Sequence, residues 1–501
     1  MMSAERSALA YGITICLLWA LIPSLFFPNP PLDVVEGFAW GREMALGYTK
    51  HPPMQAWLLE LSFHLTGGKA YGAYWLSGIS IGLGYLAIWH LARRLGLSAR
   101  QAFWAIVLTS VTFYFTLPAP EFNPNILQIP VWAGMILFFH RALEKGRLID
   151  WVILGLLAAF GLYTKYFVAL LIGAIGLYAL VFPSARRHVM TPGPWLAAVV
   201  CLLAFAPHLA WLAKTDFITF QYAASRSHGA AGWIDHFYNP VNFLGAQIAN
   251  HAGLFLVVLA GFSLASLKKI RLKLPAPKLE NRSDSLFLLW FAFLPLGVVL
   301  LASAVTGNEF KQMWGTPMFV LSGILAVCAF RVPVDWSSPK RAFITAALIQ
   351  AIFLGVITGQ ALLEPLWKKK LSRIHYPGRE TALFLSDEWQ KETGTPLAYV
   401  AGEMWPAAHL TLFAPSRPSM FLNHDPIESP WIDAEDIQKK GVLLVWTGDG
   451  TEMPQMFRHL YPTATRQGFK SFHAPGSGTM RPVTLNWIIV PPGKVADAGS
   501  D

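Results

Sequence analysis

The chain has 501 residues, of which 54% are hydrophobic and only 14% charged, against about 25% charged in an ordinary soluble domain. This composition excludes an ordinary soluble enzyme and indicates an integral membrane protein. The net charge is +10, and its distribution along the chain follows membrane topology, so no nucleic-acid partner is expected.

Apolar runs occur at 8–27, 73–92, 102–118, 126–142, 149–164, 166–183, 194–213, 244–267, 285–305, 314–330 and 342–362. Most approach the ~20 residues a helix needs to cross hydrocarbon, which predicts about eleven transmembrane helices with an upper bound of thirteen. The stretch from Trp151 to Phe182 is too long for one span and carries Lys165 in its middle, so it divides at Thr164-Lys165-Tyr166. The first run is too long for a signal peptide and shows no clear cleavage site. Cys16, Cys201 and Cys328 all fall inside apolar runs, which leaves no disulfide framework and no thiol metal site.

With the N-terminus inside, the inner loops hold 18 Lys and Arg and the outer loops hold seven: Arg42, Lys50, Lys69, Lys165, Lys214, Arg226 and Lys311. The expected setting is therefore a bacterial inner membrane, crossed many times, with a cytoplasmic N-terminus. After about Leu366 the composition changes to short apolar stretches, an amphipathic segment from Glu380 to Glu392, and Gly, Pro and Asp turns. An odd number of spans places this α/β region on the periplasmic face. Lys368-Lys369-Lys370 fit that side poorly as topology signals and well as contacts to anionic headgroups.

The segment from Asn29 to Pro53 sets Asp33, Glu36, Arg42, Glu43, Lys50 and His51 beside the bilayer, along with Phe38, Trp40, Met44, Leu46 and Tyr48. Charges at membrane depth are costly and mark function. Three more polar clusters fall on the same outer face: Glu121, Asn123 and Asn125; Lys165 with Tyr166; and Asn308, Glu309, Lys311 and Trp314. The long outer loop with Asp216, Arg226, His228, Asp235 and His236 is placed to cover them. Lys50, His51, Lys165, Lys311 and Arg226 thus gather potential cations on this face, and Trp40, Tyr48, Tyr166 and Trp314 gather aromatic rings.

The pattern Asp33, Trp40-Gly41, Leu46-Gly47-Tyr48, Lys50-His51-Pro52-Pro53 and Trp57 resembles the first extracytoplasmic loop of the GT-C glycosyltransferases, in the protein mannosyltransferase and aminoarabinose transferase branch. The resemblance continues through Pro124–Leu143, Gly161–Tyr166 and Lys311–Pro317. It implies a polytopic α-helical membrane protein of GT-C type. Residues 1–365 would form the catalytic transmembrane domain with a periplasmic loop at 28–70, and residues 366–501 a soluble periplasmic α/β domain. It implies an inverting transferase that takes a polyprenyl-phosphate-linked sugar, with Asp33 as the general base. Such a transfer needs a base, cations near the leaving phosphate and an apolar groove for the lipid, so the resemblance makes Lys50, His51, Lys165, Lys311 and Arg226 candidates to hold the phosphate, and Trp40, Tyr48, Tyr166 and Trp314 candidates to stack on sugar or line the lipid entrance. An envelope glycolipid such as lipid A or core oligosaccharide is preferred to protein as acceptor.

Departures from the family are specific. Val34 stands where relatives have a second acid, Lys50 replaces the acid before His51, and Asn125 stands where an acid commonly precedes the next span. Glu36, Glu121 and Asn125 are thus candidates for a second acid or an acceptor contact. With the carboxylates so thinned, no metal site and no other cofactor is expected, and metal-independent transfer is favoured over divalent-ion chemistry.

Each residue also has a plainer reading. Asp33 is placed to cap the helix after it; Lys50 and His51 to snorkel; Lys165 to link two spans; His208 and His251 to pack; and Gly402-Glu403-Met404-Trp405 to join a strand to a helix. A lipid-linked sugar transporter or flippase, and a membrane scaffold, are the other function classes. The chain shows no internal repeat to favour the first, and the second leaves the charged loop unexplained.

Overall fold

A computed structural model describes residues 3–226, 229–263, 282–448, 453–460 and 468–493. Six helices are long and apolar enough to cross a bilayer: α1 (Ala4–Phe26), α4 (Gly72–Arg94), α6 (Pro124–Lys145), α10 (Pro192–Lys214), and the helices Arg282–Thr306 and Pro339–Trp367. Three bent pairs bring the total to nine. In the first, Tyr166–Val181, which contains α8 (Ala169–Val181), turns by 100° into α9 (Pro183–Val189). In the second, α12 (Asp235–Asn250) turns by 44° into α13 (Ala252–Gly261), and in the third Gln312–Phe319 turns by 62° into Ser322–Ala329. The shorter apolar helix α7 (Leu148–Thr164) stands apart from these.

The expected count of eleven is reached only by adding α7 and the run 102–118 to these nine. That run is helical only as α5 (Ala99–Ser110), followed by a 3-10 turn at Phe113–Phe115. The end of the run 244–267, and the inner-loop cations Lys268, Lys269, Arg271, Lys273 and Lys278, lie outside the described residues.

Local chemistry explains the helix boundaries that shape the site. Asn123 caps α6 by accepting from the N–H groups of Asn125 and Ile126, and Pro124 occupies the first turn, where its missing N–H costs nothing. At Lys165 the backbone leaves the helical region, with φ −167° and ψ 130°, so the long apolar stretch breaks where the charge falls. Helices α7 and α10 approach closely at Gly155, where a Cβ would lie 2.4 Å from the Ala197 carbonyl oxygen. Close backbone approach of this kind drives helix association in lipid.

The segment between α1 and α4 is a helical hairpin of α2 (Leu32–Gly41) and α3 (Met54–Leu65). Gly41 lets the two touch, since a Cβ there would meet the Ala56 carbonyl oxygen at 2.4 Å. The C-terminal region carries a five-stranded sheet, order β2-β1-β3-β5-β4, of β1 (Tyr399–Gly402), β2 (Ser419–Leu422), β3 (Val442–Thr447), β4 (Gly468–Phe472) and β5 (Val483–Val490). Strands β2, β1 and β3 are parallel, and β5 is antiparallel to both β3 and β4. One hydrophobic core joins this region to the loop: Val34, Phe38, Trp40 and Tyr48 pack with Trp389, Val400, Leu410 and Met420. The helix Met404–Phe413 lies against α2. Arg417 grips Glu60 of α3 with two bonds of 2.7 and 2.8 Å, and Arg42 donates to the Arg417 carbonyl at 2.7 Å.

Candidate active site

Asp33 lies in the first turn of α2, where the helix dipole favours negative charge. The helix is capped at Pro31 without any side-chain bond, so the Asp33 carboxylate is not used as a cap. Three neighbours fix its backbone and carboxylate. The Asp33 N–H donates to Glu121 Oε1 at 3.2 Å, its carbonyl accepts from Gln55 Nε2 at 2.9 Å, and Asn123 Nδ2 stands 3.5 Å from Oδ2. Gln55 also donates to the Phe122 carbonyl at 3.0 Å, tying α3 to the loop that carries Glu121. Burial, then the Asp33 charge, push Glu121 up to about 7.

Cations flank this acid group. Lys50 Nζ bonds Glu36 Oε2 at 2.8 Å, and Glu36 is buried. Burial opposes the Lys50 charge, but Glu36 and Asp33 together hold its pKa above the usual value. Lys165, in the break between two apolar segments, donates to Asn125 Oδ1 at 2.7 Å and lies over the rings of Trp314 and Phe167 at 5.0 and 5.7 Å. Burial lowers Lys165 to about 7, and Asp33 acts in the opposite direction. His51 packs edge-on to Trp40 at 6.4 Å. Burial first, then Lys50 and Lys165, keep its imidazole neutral. Asp33, Lys50, His51, Lys165, Glu36, Glu121 and Asn125 therefore form one electrostatic neighbourhood, with Trp314 along its side.

Tyr166 is fastened from below. Its hydroxyl lies 2.6 Å from His208 Nε2, and His208 Nδ1 lies 2.6 Å from the Leu46 carbonyl. A carbonyl can only accept, so Nδ1 carries the hydrogen and Nε2 accepts from Tyr166. His208, which the sequence presents as a packing residue, thus links α10, the first loop and Tyr166. Helix α11 (Ile218–Arg226) closes over this corner: Phe220 stacks on Tyr166 at 4.7 Å and Thr219 donates to the Tyr48 carbonyl at 3.1 Å.

Other expected residues lie elsewhere or serve structure. Lys311 is exposed and pairs with Glu309 at 3.4 Å. Arg226 ends α11, but its side chain and all of His228 lie outside the described residues. Trp40 and Tyr48 are core residues, stacked on each other at 5.2 Å with the Tyr48 hydroxyl bonded to the Trp40 carbonyl, and so are closed to sugar or lipid. Asp235 accepts from the Ala231 and Gly232 N–H groups, and His236 bonds the Ala304 carbonyl. His251 is a packed histidine between the Gln247 carbonyl and Ser322. Glu403 sits at the strand-to-helix junction and accepts from the Thr447 N–H at 3.0 Å. Among the described residues, no group of three or more His, Cys, Asp and Glu side chains is arranged to hold a metal ion.

Gln55, His208 and Arg373 are not among the site candidates that the sequence presents, whereas Asn123 is, in the cluster with Glu121 and Asn125. Gln55 is detectable in principle, just after Pro52-Pro53. Nothing local marks Arg373, which comes to Glu121 from the C-terminal region.

Known proteins agree with this architecture. Residues 50–211 match the family model described as dolichyl-phosphate-mannose-protein mannosyltransferase. A lipopolysaccharide core galacturonosyltransferase of Rhizobium johnstonii is 25% identical over 427 residues, covering 83% of this chain and 82% of that protein. A lipid A galacturonosyltransferase of the same organism is 22% identical, covering 70% of this chain and 72% of the relative. Among solved structures, ArnT from Cupriavidus metallidurans bound to undecaprenyl phosphate superposes with a TM-score of 0.60 at 13% identity, over 98% of this chain and 99% of that one. The fold is that of the GT-C membrane transferases. The chain is a multi-pass membrane glycosyltransferase, and the two relatives above are named for lipopolysaccharide core and lipid A.

Proposed function

We propose that the chain transfers a sugar from a polyprenyl-phosphate donor to a hydroxyl of an envelope glycolipid, lipid A or core oligosaccharide, at the periplasmic face of the bacterial inner membrane. The N-terminus would be cytoplasmic, and the C-terminal α/β region would lie with the site in the periplasm. Donor and acceptor classes are those named for the similar proteins: undecaprenyl phosphate in the ArnT structure, and lipid A and lipopolysaccharide core in the galacturonosyltransferases.

The observation that supports the reading is the grouping of Asp33, whose neighbouring acids Glu36 and Glu121 are engaged by Lys50 and by the Asp33 backbone, with the cations Lys50 and Lys165 beside the apolar helices. Asp33 takes the proton of the acceptor hydroxyl as its oxygen attacks the anomeric carbon, and the lipid phosphate leaves from the opposite face with inversion. Lys165 and Lys50 stabilise the phosphate as its negative charge grows. A phosphate dianion beside Lys165 draws that amine to its charged form. The Trp314 ring and Asn125 hold the ammonium in line, and Tyr166, fixed by His208, borders the sugar. Glu121 positions the Asp33 backbone rather than acting on substrate. The reading needs no divalent ion, because fixed side-chain cations hold the phosphate.

Asp33→Asn is the decisive variant. It should fold, bind the polyprenyl-phosphate sugar and fail to transfer it. Full transfer by that variant would overturn the mechanism.

A further inference from the structure

The helix Pro339–Trp367 ends in a band of bilayer-facing apolar side chains: Leu362, Leu363, Leu366 and Trp367 are all exposed, Trp367 by 68%. A bare Trp at a helix end marks the headgroup level. Cations follow at once. Lys368 is taken by Glu364 at 2.7 Å, but Lys369, Lys370, Arg373 and Arg379 are exposed and form no ion pair among the described residues. Between positions 364 and 381 the only other acid is Glu380.

A distant segment adds to this face. The Arg481 N–H donates to the Lys369 carbonyl at 2.8 Å, while Ser477 and Thr479 hydroxyls donate to the Pro365 carbonyl at 2.9 and 2.8 Å. Arg481 is exposed and likewise forms no ion pair among the described residues. On the other side His375 Nε2 bonds the Ala361 carbonyl at 2.9 Å, so the turn after the helix is held firmly against it. Lys369, Lys370 and Arg481, which form no ion pair among the described residues, share this braced segment at headgroup level, where like charges repel unless something anionic sits among them.

We propose that this face binds the phosphate of a membrane lipid headgroup. Lys369 and Lys370 supply point charges, and Arg481 and Arg373 supply planar forks suited to phosphate oxygens. Arg373 links the face to the reaction centre: its carbonyl accepts from Asn29 Nδ2 at 3.2 Å, and its guanidinium acts on Glu121, which is bonded to Asp33. A phosphorylated acceptor glycolipid held here would present its sugar toward Asp33. That last assignment rests on the proposed transfer reaction, whereas phosphate binding itself does not.

The test uses the full chain in phosphatidylcholine nanodiscs, without donor, titrated with phosphorylated lipid A and with the same lipid stripped of phosphate. The wild type should prefer the phosphorylated form. Lys369→Gln/Lys370→Gln/Arg481→Gln should lose about fivefold in affinity per cation, on the order of a hundredfold together. Lys369→Arg/Lys370→Arg should retain the preference. If phosphatidylglycerol competes equally, the ligand is the headgroup of bulk anionic lipid; if it does not, the ligand is the glycolipid. Equal binding of both lipid A forms by the wild type, or unchanged affinity in the glutamine variant, overturns the proposal. Because no turnover is read, a failure of the transfer mechanism leaves this result standing.

Discussion

Lys50 Nζ stands 2.8 Å from Glu36 Oε2, and this pair gives the buried Glu36 carboxylate its countercharge. Lys50→Ala leaves the buried Glu36 without its countercharge and should destabilise the protein. Lys50→Met combined with Glu36→Gln removes both charges and should recover most of the loss. A double-mutant cycle on thermal unfolding in detergent should give a coupling of about 1–2 kcal/mol. Additive single effects would show that the pair contributes nothing beyond its separate parts.

Lys165→Met should reduce transfer by about 10²–10³-fold, the usual effect of removing one preorganised charge from a transition state. Its effect on stability should have the opposite sign. A folded pKa of about 7, below the ordinary 10.5, means that the unfolded chain holds the proton more tightly. The lysine therefore destabilises the fold fully below about pH 7, and the penalty fades as pH rises toward 10.5. The variant should melt ~2–4 °C higher than wild type at pH 6, with a smaller gain at pH 9. Donor KM in the wild type should rise above pH 7 as the free amine loses its proton. Near-normal turnover in the variant would remove Lys165 from the phosphate site.

Glu121 titrates in the other sense. Its folded pKa, about 7 against an ordinary 4.5, means that the native state holds the proton more tightly. Its contribution to stability is complete below about 4.5 and is lost as pH climbs to about 7. Glu121→Gln should therefore raise the melting temperature at pH 8 and change it little at pH 4. The same variant should abolish any inflection near pH 7 in the rate profile that Glu121 causes, while turnover at the optimum falls modestly. An identical inflection in the variant would assign that titration to another group.

Arg417 holds the C-terminal region to α3 through its paired bonds to Glu60. Arg417→Ala should cost about 3 kcal/mol, the low end for breaking a buried pair, because it leaves the buried Glu60 carboxylate with only His64, at 3.0 Å, as an ion-pair partner among the described residues. It should also speed proteolysis after the helix Pro339–Trp367 and lower kcat more than it raises donor KM. Unchanged protease sensitivity would show that the hydrophobic core alone holds the two regions together.

The long apolar helices and the break at Lys165 were legible in the sequence, because each follows from a run of residues and a single interrupting charge. The stretch Val111–Leu117 was not: it is apolar enough to suggest a span, yet it turns after Ser110 because tertiary packing overrides composition. Asp33 stood out through its local context, and Lys165 through its isolation in apolar surroundings. The partners that give these residues meaning were harder to see, since Asn123, Gln55 and Arg373 reach Asp33 and Glu121 through the fold rather than along the chain. The aromatic residues Trp40 and Tyr48 misled for the same reason: a ring beside a charged loop reads as a binding surface until the segment that buries it is in view. Lys311 carried the right chemistry at the right depth, but its side chain points to Glu309.

The core shared by α2 and the C-terminal region makes the two inseparable as units of inheritance. A chimera that exchanges residues after the helix Pro339–Trp367 for those of a relative would set a foreign lining against Val34, Phe38 and Tyr48, and would tilt the helix that carries Asp33. Exchanging the C-terminal region of this enzyme would require transplanting the loop that carries α2 along with it, as the two halves of one mould.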